Sequence, residues 1–320
     1  MRRDHRSAIL GVHWALILAL VGLQVVVPPF HHTLLARIMV LAAYAIGYNL
    51  LLGYTGLMSL GHAMFFAAGM YGAGLPLFYL GVGAPQAFLL GIAASLLLSV
   101  VIGTLTLRTS GVSFLIVTLM FAQVFYLSTL YFNRITLGDQ GFVLAGHLPP
   151  ISLGALRVTL SDPVMRYNLA LATFAVCLGI SLWLVQSPIG RVLVAIRENE
   201  DRTQMLGYNT FAYKLLALTI SAAIAGFSGS VYAVITSYVG ASFAAILYSI
   251  YPLVWTLLGG SGTVLGPFVG TAVMTYTIET ASRFTSSYLI VVGVILVALV
   301  MRFPAGIVGA FRRRWAPWLP

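Results

Sequence analysis

The sequence predicts an all-α fold, a polytopic transmembrane helical bundle of about ten spans. Of its 320 residues, 60% are hydrophobic and 8% are charged, whereas soluble domains carry about 25% charged residues. The apolar runs are long enough to cross a bilayer core of about 30 Å, and short charged clusters separate them. Because hydrocarbon offers no water to backbone groups, these continuous runs are predicted to be helices, and they lack the alternation of barrel strands.

The predicted spans follow one another along the chain, which we interpret as a single transmembrane domain, residues 1–320. They lie near residues 8–27, 34–52, 57–80, 86–107, 112–132, 167–186, 213–236, 243–260, 264–282 and 286–302. The first run follows a basic head and ends at Pro28-Pro29-Phe30 rather than at a small-x-small cleavage site. We therefore interpret it as a span and not as a cleavable signal peptide.

The basic residues predict the orientation of the spans. With a cytoplasmic N-terminus, five of the 17 Lys and Arg residues lie outside or at the outer interface, namely Arg37, Arg134, Arg157, Arg166 and Arg283. The remaining majority lies inside, as the positive-inside rule requires. This distribution favours an even number of spans with both termini in the cytoplasm.

Two hydrophilic stretches interrupt the apolar pattern, an outer loop over 133–166 and a cytoplasmic loop over 187–212. They divide the chain into five spans plus five. Because five is odd, two homologous halves would insert with opposite orientations, which predicts a 5+5 inverted repeat. The same short Tyr-x-Gly motif occurs before span three, as Tyr54-x-Gly56, and before span eight, as Tyr238-x-Gly240, which is consistent with such a repeat.

The composition and motifs exclude several functional classes. The net charge of +10 comes from arginines that flank apolar runs, so we expect a lipid membrane and not a nucleic acid as the partner. The single cysteine, Cys177, rules out disulfides and cysteine-based zinc sites. No P-loop, HExxH or GxSxG motif with a plausible partner is present. We therefore predict no catalytic residue, no metal site and no cofactor.

Glycines punctuate two junctions between predicted spans, at residues 49–71 and 259–263. Glycine allows close backbone approach and non-helical turns at membrane depth. Tight helix packing alone would also explain glycines, but the pattern as a whole favours flexible or pathway-lining backbone. The predicted pathway or hinge residues are Asn49, Gly53, Gly56, Ser59, Gly61, His62, Gly259, Gly260 and Gly262.

The cytoplasmic loop carries signals for a short helix. Ser187 is suited to the N-cap, Pro188 to the first turn, and Gly207 to a helix end with positive φ. Glu198 and Arg202 are four residues apart and are predicted to pair on the exposed side. Apolar contacts are expected from Leu193, Ile196, Met205 and Leu206. The alternative interpretation is a solvated loop with a run of charges.

Together these two regions resemble the LivM-type permeases of branched-chain amino-acid ABC importers. The family pattern around the first junction is matched by Asn49, Gly53, Tyr54, Gly56, Ser59, Gly61, His62 and Phe65. Further matches are the stretches Gly190-Arg191, 195–200, Leu206-Gly207, Lys214, 221–226, 259–263 and 304–307. The resemblance thus extends along most of the chain.

The resemblance implies a transport subunit without its own ATPase, in a bacterial inner membrane. Expected partners are a second, LivH-like permease, cytoplasmic ABC ATPase subunits and a periplasmic substrate-binding protein. A coupling helix is implied within residues 197–207. The implied ATPase-coupling residues are Arg191, Arg197, Glu198, Glu200, Arg202, Leu206 and Gly207.

The implied substrate is a branched-chain or related small amino acid. Two segments depart from the family pattern, Thr136-Leu-Gly-Asp-Gln-Gly141 and Val239-Gly-Ala-Ser-Phe243. A urea or short-chain amide permease of the same family is therefore the alternative.

Two other classes of membrane protein are less well supported by the sequence. An ion-coupled secondary transporter usually needs ionisable residues in the membrane. Glu279 is the one acid within a predicted span, and Arg283, one turn later, is predicted to pair with it at the outer helix end. A membrane-embedded enzyme would need a nucleophile and base or a metal cluster at workable spacing.

Overall fold

A computed structural model describes residues 3–148, 151–153, 156–158, 160, 162–285, 287–315 and 318. Its α-helices are α1 Arg3–Val26, α2 Pro29–Asn49, α3 His62–Leu75, α4 Ala84–Thr106, α5 Gly111–Tyr131, α6 Asn133–Thr136, α7 Pro163–Gln186, α8 Pro188–Glu198, α9 Glu200–Met205, α10 Thr210–Thr236, α11 Ile246–Gly259, α12 Gly266–Phe284, α13 Tyr288–Arg302 and α14 Ile307–Trp315. The strands are β1 Phe142–Val143, β2 Ile151–Leu153, β3 Leu156–Val158 and β4 Tyr238–Val239. Two helices end in π-helical turns, α2 in Leu50–Tyr54 and α3 in Pro76–Leu80, and Ala241–Ala244 form a 3₁₀ turn.

Among the described residues, seven helical stretches are long and apolar enough to cross a membrane. They are Ala8–Val26, His31–Tyr54, His62–Leu80, Ala84–Thr106, Gly111–Tyr131, Pro163–Gln186 and Thr210–Thr236. The predicted all-helical membrane class is therefore confirmed.

The last three predicted spans also contain one helix each, but these helices are short or polar. Helix α11 has 14 residues and rises about 21 Å, less than a bilayer core of about 30 Å. Helix α13 has 15 residues, whereas α12 has 19 residues but includes several threonines and Glu279. The count of ten spans stays a prediction.

The structure also shifts two predicted boundaries. Helix α2 begins at Pro29, where proline suits the first turn because its missing N–H needs no partner there. The span predicted to begin at residue 57 begins at His62, because residues 56–59 form a non-helical turn in which Gly56 has a φ of 77°.

Helices α3, α4 and α10 form a closely packed three-helix unit. A Cβ added at Gly69 of α3 would lie 2.0 Å from the carbonyl oxygen of Gly226 on α10. A Cβ at Gly91 of α4 would lie 2.1 Å from Ser230 Oγ, and Ser230 donates a 2.9 Å hydrogen bond to the Gly69 carbonyl. Small residues therefore let the three backbones touch, which is a main source of helix association in lipid.

Helix α2 is the central helix of the other half of the bundle. It packs against α7, α11, α12 and α10, and 94% of its most apolar 18-residue stretch is buried inside the bundle. In contrast, only 17% of the corresponding stretch is buried in α1 and in α5. These two peripheral helices present apolar side chains outwards, as expected of lipid-facing or partner-facing surfaces.

The bundle has two chemically different ends. At the strand end, β1 pairs antiparallel with β4, with Phe142 opposite Val239. At the opposite end, which we name the junction end, the turn between α2 and α3 meets α8, the turn between α11 and α12, and α14. The predicted site residues lie at the junction end.

Candidate functional site

The two glycine-rich stretches that the sequence singled out are in direct contact at the junction end. We name residues 53–62 and 259–263 together the glycine junction. Asn49, the last residue of α2, is 1% exposed and connects them. Its Nδ2 donates to the Thr263 carbonyl at 2.9 Å, and its Oδ1 accepts from the Gly262 N–H at 3.0 Å. One buried amide thus satisfies two backbone groups of a turn that is distant in sequence.

Close backbone contact explains why Gly53 and Gly262 are glycines. A Cβ at Gly53 would lie 2.1 Å from Asn49 Oδ1 and 2.4 Å from the Gly262 nitrogen. Gly262 has a φ of 71°, in the left-handed region that other residues rarely adopt. The turn is closed further by Thr263, whose Oγ1 donates to the Gly260 carbonyl at 2.7 Å.

The remaining predicted glycines lie in the same two turns. Gly61 is packed against α5, since its Cβ would lie 2.6 Å from the Thr118 carbonyl oxygen. Gly259 is packed against α12, since its Cβ would lie 1.7 Å from the Gly266 oxygen. Ser59 is fully buried and its Oγ accepts from the Gly61 N–H at 3.1 Å.

His62 begins α3 and is fully buried. The Ser221 hydroxyl of α10 donates to the Gly47 carbonyl, so it accepts from His62 Nε2 at 2.9 Å. His62 Nδ1 then keeps a lone pair, and it has no hydrogen-bond partner among the described residues. Its ring also makes edge-on contacts with Tyr48 and Phe65 and stacks on Tyr44.

The loop that was predicted to be cytoplasmic forms two helices, α8 and α9, where the sequence predicted one short helix. Ser187 is confirmed as the N-cap of α8, where its hydroxyl accepts from the Gly190 N–H at 3.2 Å. Asn199 separates the helices in an extended conformation with a φ of −162°, and its side chain caps α9. Gly207 follows α9 with a φ of 89°, which confirms the predicted positive φ.

The predicted pair of Glu198 and Arg202 was wrong. Because α8 ends at Glu198 and the extended Asn199 intervenes, the two residues do not lie on one continuous helix. Glu198 instead forms a 3.0 Å ion pair with Arg197. Both side chains are exposed, so this pair contributes about 0–1 kcal/mol.

Arg197 links the loop to the glycine junction. Its Nη1 donates to the Gly53 carbonyl, and its side chain covers Gly56, where a Cβ would lie 2.7 Å from Arg197 Cγ. The loop is fixed a second time through Glu200, whose carboxylate pairs with Lys214 Nζ of α10. Two groups of residues predicted separately, the coupling loop and the glycine stretches, therefore form one site.

The other predicted coupling residues are on the surface. Arg191 and Arg202 are exposed on α8 and α9. Leu206 and its neighbour Met205 are 71% and 85% exposed at the end of α9. The expected apolar contacts of Leu193 and Ile196 with the bundle are confirmed, since both side chains are buried.

Sequence reasoning missed one member of the site, Arg312. This residue of α14 donates from Nη1 to the Gly262 carbonyl at 3.0 Å. Its signal was visible, because α14 follows the Pro304-Ala305-Gly306-Ile307 motif and carries three consecutive arginines. Within the part of the chain that the structure describes, no group of three or more His, Cys, Asp or Glu residues is placed to hold a metal ion.

The family model described as the permease component of branched-chain amino acid transport systems matches residues 30–300. The high-affinity branched-chain amino acid transport system permease protein LivM of Salmonella typhimurium is 27% identical over a 294-residue alignment that covers 84% of this chain and 68% of the relative. The protein of the same name from Escherichia coli K12 is 28% identical over an alignment of the same length, which covers the same fractions of the two chains.

No solved structure matches this chain. The family model nevertheless covers most of the chain, including the glycine junction and the loop with α8 and α9. The protein therefore belongs to the family of branched-chain amino acid transport system permease components.

Proposed function

We propose that this chain is a membrane subunit of an ABC importer that translocates branched-chain or related small amino acids. A periplasmic binding protein delivers the substrate, a second LivH-like permease completes the pathway, and separate cytoplasmic ATPases drive the cycle. The family assignment supports the permease role, and the named relatives are branched-chain amino acid permeases. The urea or short-chain amide permease stays the alternative within the family.

The observation that carries the proposal is an exposed apolar tip on a firmly anchored loop. We name residues 205–208 the α9 tip. Met205, Leu206 and Tyr208 are 85%, 71% and 44% exposed, although α9 itself is fixed to α10 by the Glu200–Lys214 pair. Exposed apolar side chains at the end of an anchored helix are typical of a surface that a partner protein covers.

The contacts of α8 supply a route from that tip to the membrane core. Arg197 of α8 donates to the Gly53 carbonyl, and Asn49 joins Gly53 to the turn at Gly262. A partner that moves α9 therefore acts on both glycine-rich turns. If it binds two arrangements of these turns with different affinities, ATP-driven association shifts their populations.

The orientation also follows from this assignment. The ATPases are cytoplasmic, so the junction end with both termini faces the cytoplasm and the strand end faces outwards. Equivalent contacts in the two halves support the inverted 5+5 repeat. The second helix of the first half, α2, packs on α11 and α12 of the second half, and α10, the second long helix of the second half, packs on α3 and α4 of the first. Tyr54 and Tyr238, which begin the two Tyr-x-Gly motifs, lie at opposite ends of the bundle.

The test replaces the apolar tip by charge in the complete importer. Met205→Glu and Leu206→Glu are expected to reduce ATPase co-purification and substrate uptake at least about tenfold, because each places a desolvated charge in the interface. Membrane abundance should not change, since both side chains are exposed.

The matched controls are Met205→Leu and Leu206→Met, which preserve apolar character and should preserve uptake. Normal uptake by the glutamate variants at normal abundance would contradict the proposed docking role of the α9 tip.

A further inference from the structure

A charged cleft lies towards the strand end, away from the glycine junction. Arg37 of α2 and Glu279 of α12 both line it. The cleft has a volume of about 160 Å³, and an adjoining cleft of about 220 Å³ shares the same two residues and includes Thr33 and Leu34. Because one water needs about 10–15 Å³ of such space, the clefts have room for a small organic molecule.

The charges of this cleft are unusual for their position. Arg37 is the charged residue of the apolar stretch His31–Tyr54, and Glu279 is the one acid within a predicted span. Charged residues within membrane segments are energetically unfavourable and usually mark a binding or transport site. Here the two charges have opposite sign and come from different helices, α2 and α12, which pack together.

Apart from Thr275, the rest of the lining is apolar and aromatic. Leu41 and Ile278 form one part of the wall, and Tyr251 and Trp255 of α11 stack with ring centroids 5.6 Å apart. Trp255 is 3% exposed, and its Nε1 has no hydrogen-bond partner among the described residues. A buried donor without a protein acceptor is unfavourable unless a ligand or water satisfies it.

A proline in α11 leaves a carbonyl free for a hydrogen bond that ties the aromatic wall to α2. Pro252 lies inside α11 and has no N–H to give to the carbonyl of Tyr248, one turn earlier. The Tyr44 hydroxyl of α2 donates to that carbonyl at 2.8 Å instead. This bond ties α11, which carries the aromatic wall, to α2, which carries Arg37.

We propose that this cleft binds the zwitterionic head of an α-amino acid during transport. The Arg37 guanidinium receives the carboxylate, Glu279 receives the ammonium group, and the side chain packs on Leu41, Ile278 and the aromatic rings. Guanidinium and carboxylate form strong, directional charge-assisted hydrogen bonds. The inference rests on the proposed function and decides between its alternatives, because urea and short-chain amides lack both charges.

Glu279 also forms a 3.4 Å pair with Arg283, one turn later on α12, as the sequence predicted. The side chains are 38% and 56% exposed, so the pair is weak and does not prevent Glu279 from binding an ammonium group.

The first experiment measures L-leucine uptake by the complete importer in proteoliposomes. With saturating leucine-loaded binding protein, Arg37→Gln and Glu279→Gln should each lower the maximal uptake rate at least about tenfold, because each removes one charge-assisted contact. Arg37→Lys keeps the charge and should recover part of the loss. Arg134→Gln, at an exposed arginine of α6 near the same end, is the control and should match the unmodified importer.

The outcomes distinguish this inference from the proposed function. If the unmodified assembly couples neither ATP hydrolysis nor uptake to the binding protein, the proposed function fails. If that assembly transports leucine and both glutamine variants have an unchanged maximal uptake rate, only the cleft inference is overturned.

A second measurement tests the inference if the Arg37 and Glu279 variants do not assemble into the importer. In a Cys177→Ala background, Thr275→Cys places one thiol in the cleft lining. Saturating L-leucine should slow its modification by an external charged thiol reagent at least about threefold, and saturating urea should not. Equal modification rates with and without leucine in an actively transporting importer would also overturn the inference.

Discussion

The glycine junction and the α9 tip both contain glycines that the sequence singled out, but their surroundings differ completely. A Cβ at Gly53 would collide with Asn49 and Gly262, whereas a Cβ at Gly207 would meet nothing within 4 Å. Gly53 is required by close packing, and Gly207 is required by its φ of 89° alone. The same residue type therefore indicates internal fit at one position and a surface turn at the other.

The largest expected effect on stability is at Gly53. Gly53→Ala should destabilise the bundle by about 3 kcal/mol or more, because the new methyl group would lie 2.1 Å from Asn49 Oδ1. We expect reduced membrane abundance and a lower thermal unfolding temperature in detergent. Gly179→Ala is the matched control, since a Cβ there meets nothing within 4 Å. Equal stability of the two variants would show that the junction is not tightly packed.

Asn49 should have the next largest effect. Asn49→Ala leaves the buried Thr263 carbonyl and the part-buried Gly262 N–H without their partner, which costs about 1–3 kcal/mol, mainly from the buried carbonyl. The measurement is again thermal unfolding, with uptake recorded at equal abundance. Thr104→Ala, at an exposed threonine bonded within its own helix, should change stability by less than about 0.5 kcal/mol. A similar small change at Asn49 would contradict the predicted role of its amide.

Gly207 should have the smallest effect on stability and a large effect on transport. Gly207→Val strains the turn by about 1–2 kcal/mol, because a β-branched residue disfavours positive φ. The bundle should insert at normal abundance, while uptake and ATPase co-purification fall. Gly207→Asn tolerates the left-handed conformation and should retain most uptake. Normal uptake in the valine variant would mean that the loop is only a connector.

Much of this architecture was predictable because it depends on local sequence. Long apolar runs located the helices, Ser187 marked the start of α8, and Gly207 marked the end of α9. The break between α8 and α9 at Asn199 was not predicted. Asparagine is a favoured N-cap residue, and Asn199 caps α9 and so divides the loop into two helices.

The polar centre of the site was not predictable in the same way. Arg197 and Gly53 are 144 residues apart, and Asn49 and Gly262 are 213 apart. No local pattern states which helix ends meet in a bundle. The opposed charges of Arg37 and Glu279 were visible singly in the sequence, but only the packing of α2 on α12 places them in one cleft.

The length of α10 has a mechanical consequence. Its 27 residues rise about 40 Å, from the Lys214 contact with α9 at one end to the β1–β4 pairing at the other. Its backbone touches α3 at Gly226 and again at Gly229, where an added Cβ would lie 2.0 Å from the Phe66 oxygen, so the middle of α10 has no room to shift against α3. Helix α10 therefore forms a rigid strut that joins the α9 contact at one end of the bundle to the strand pair at the other.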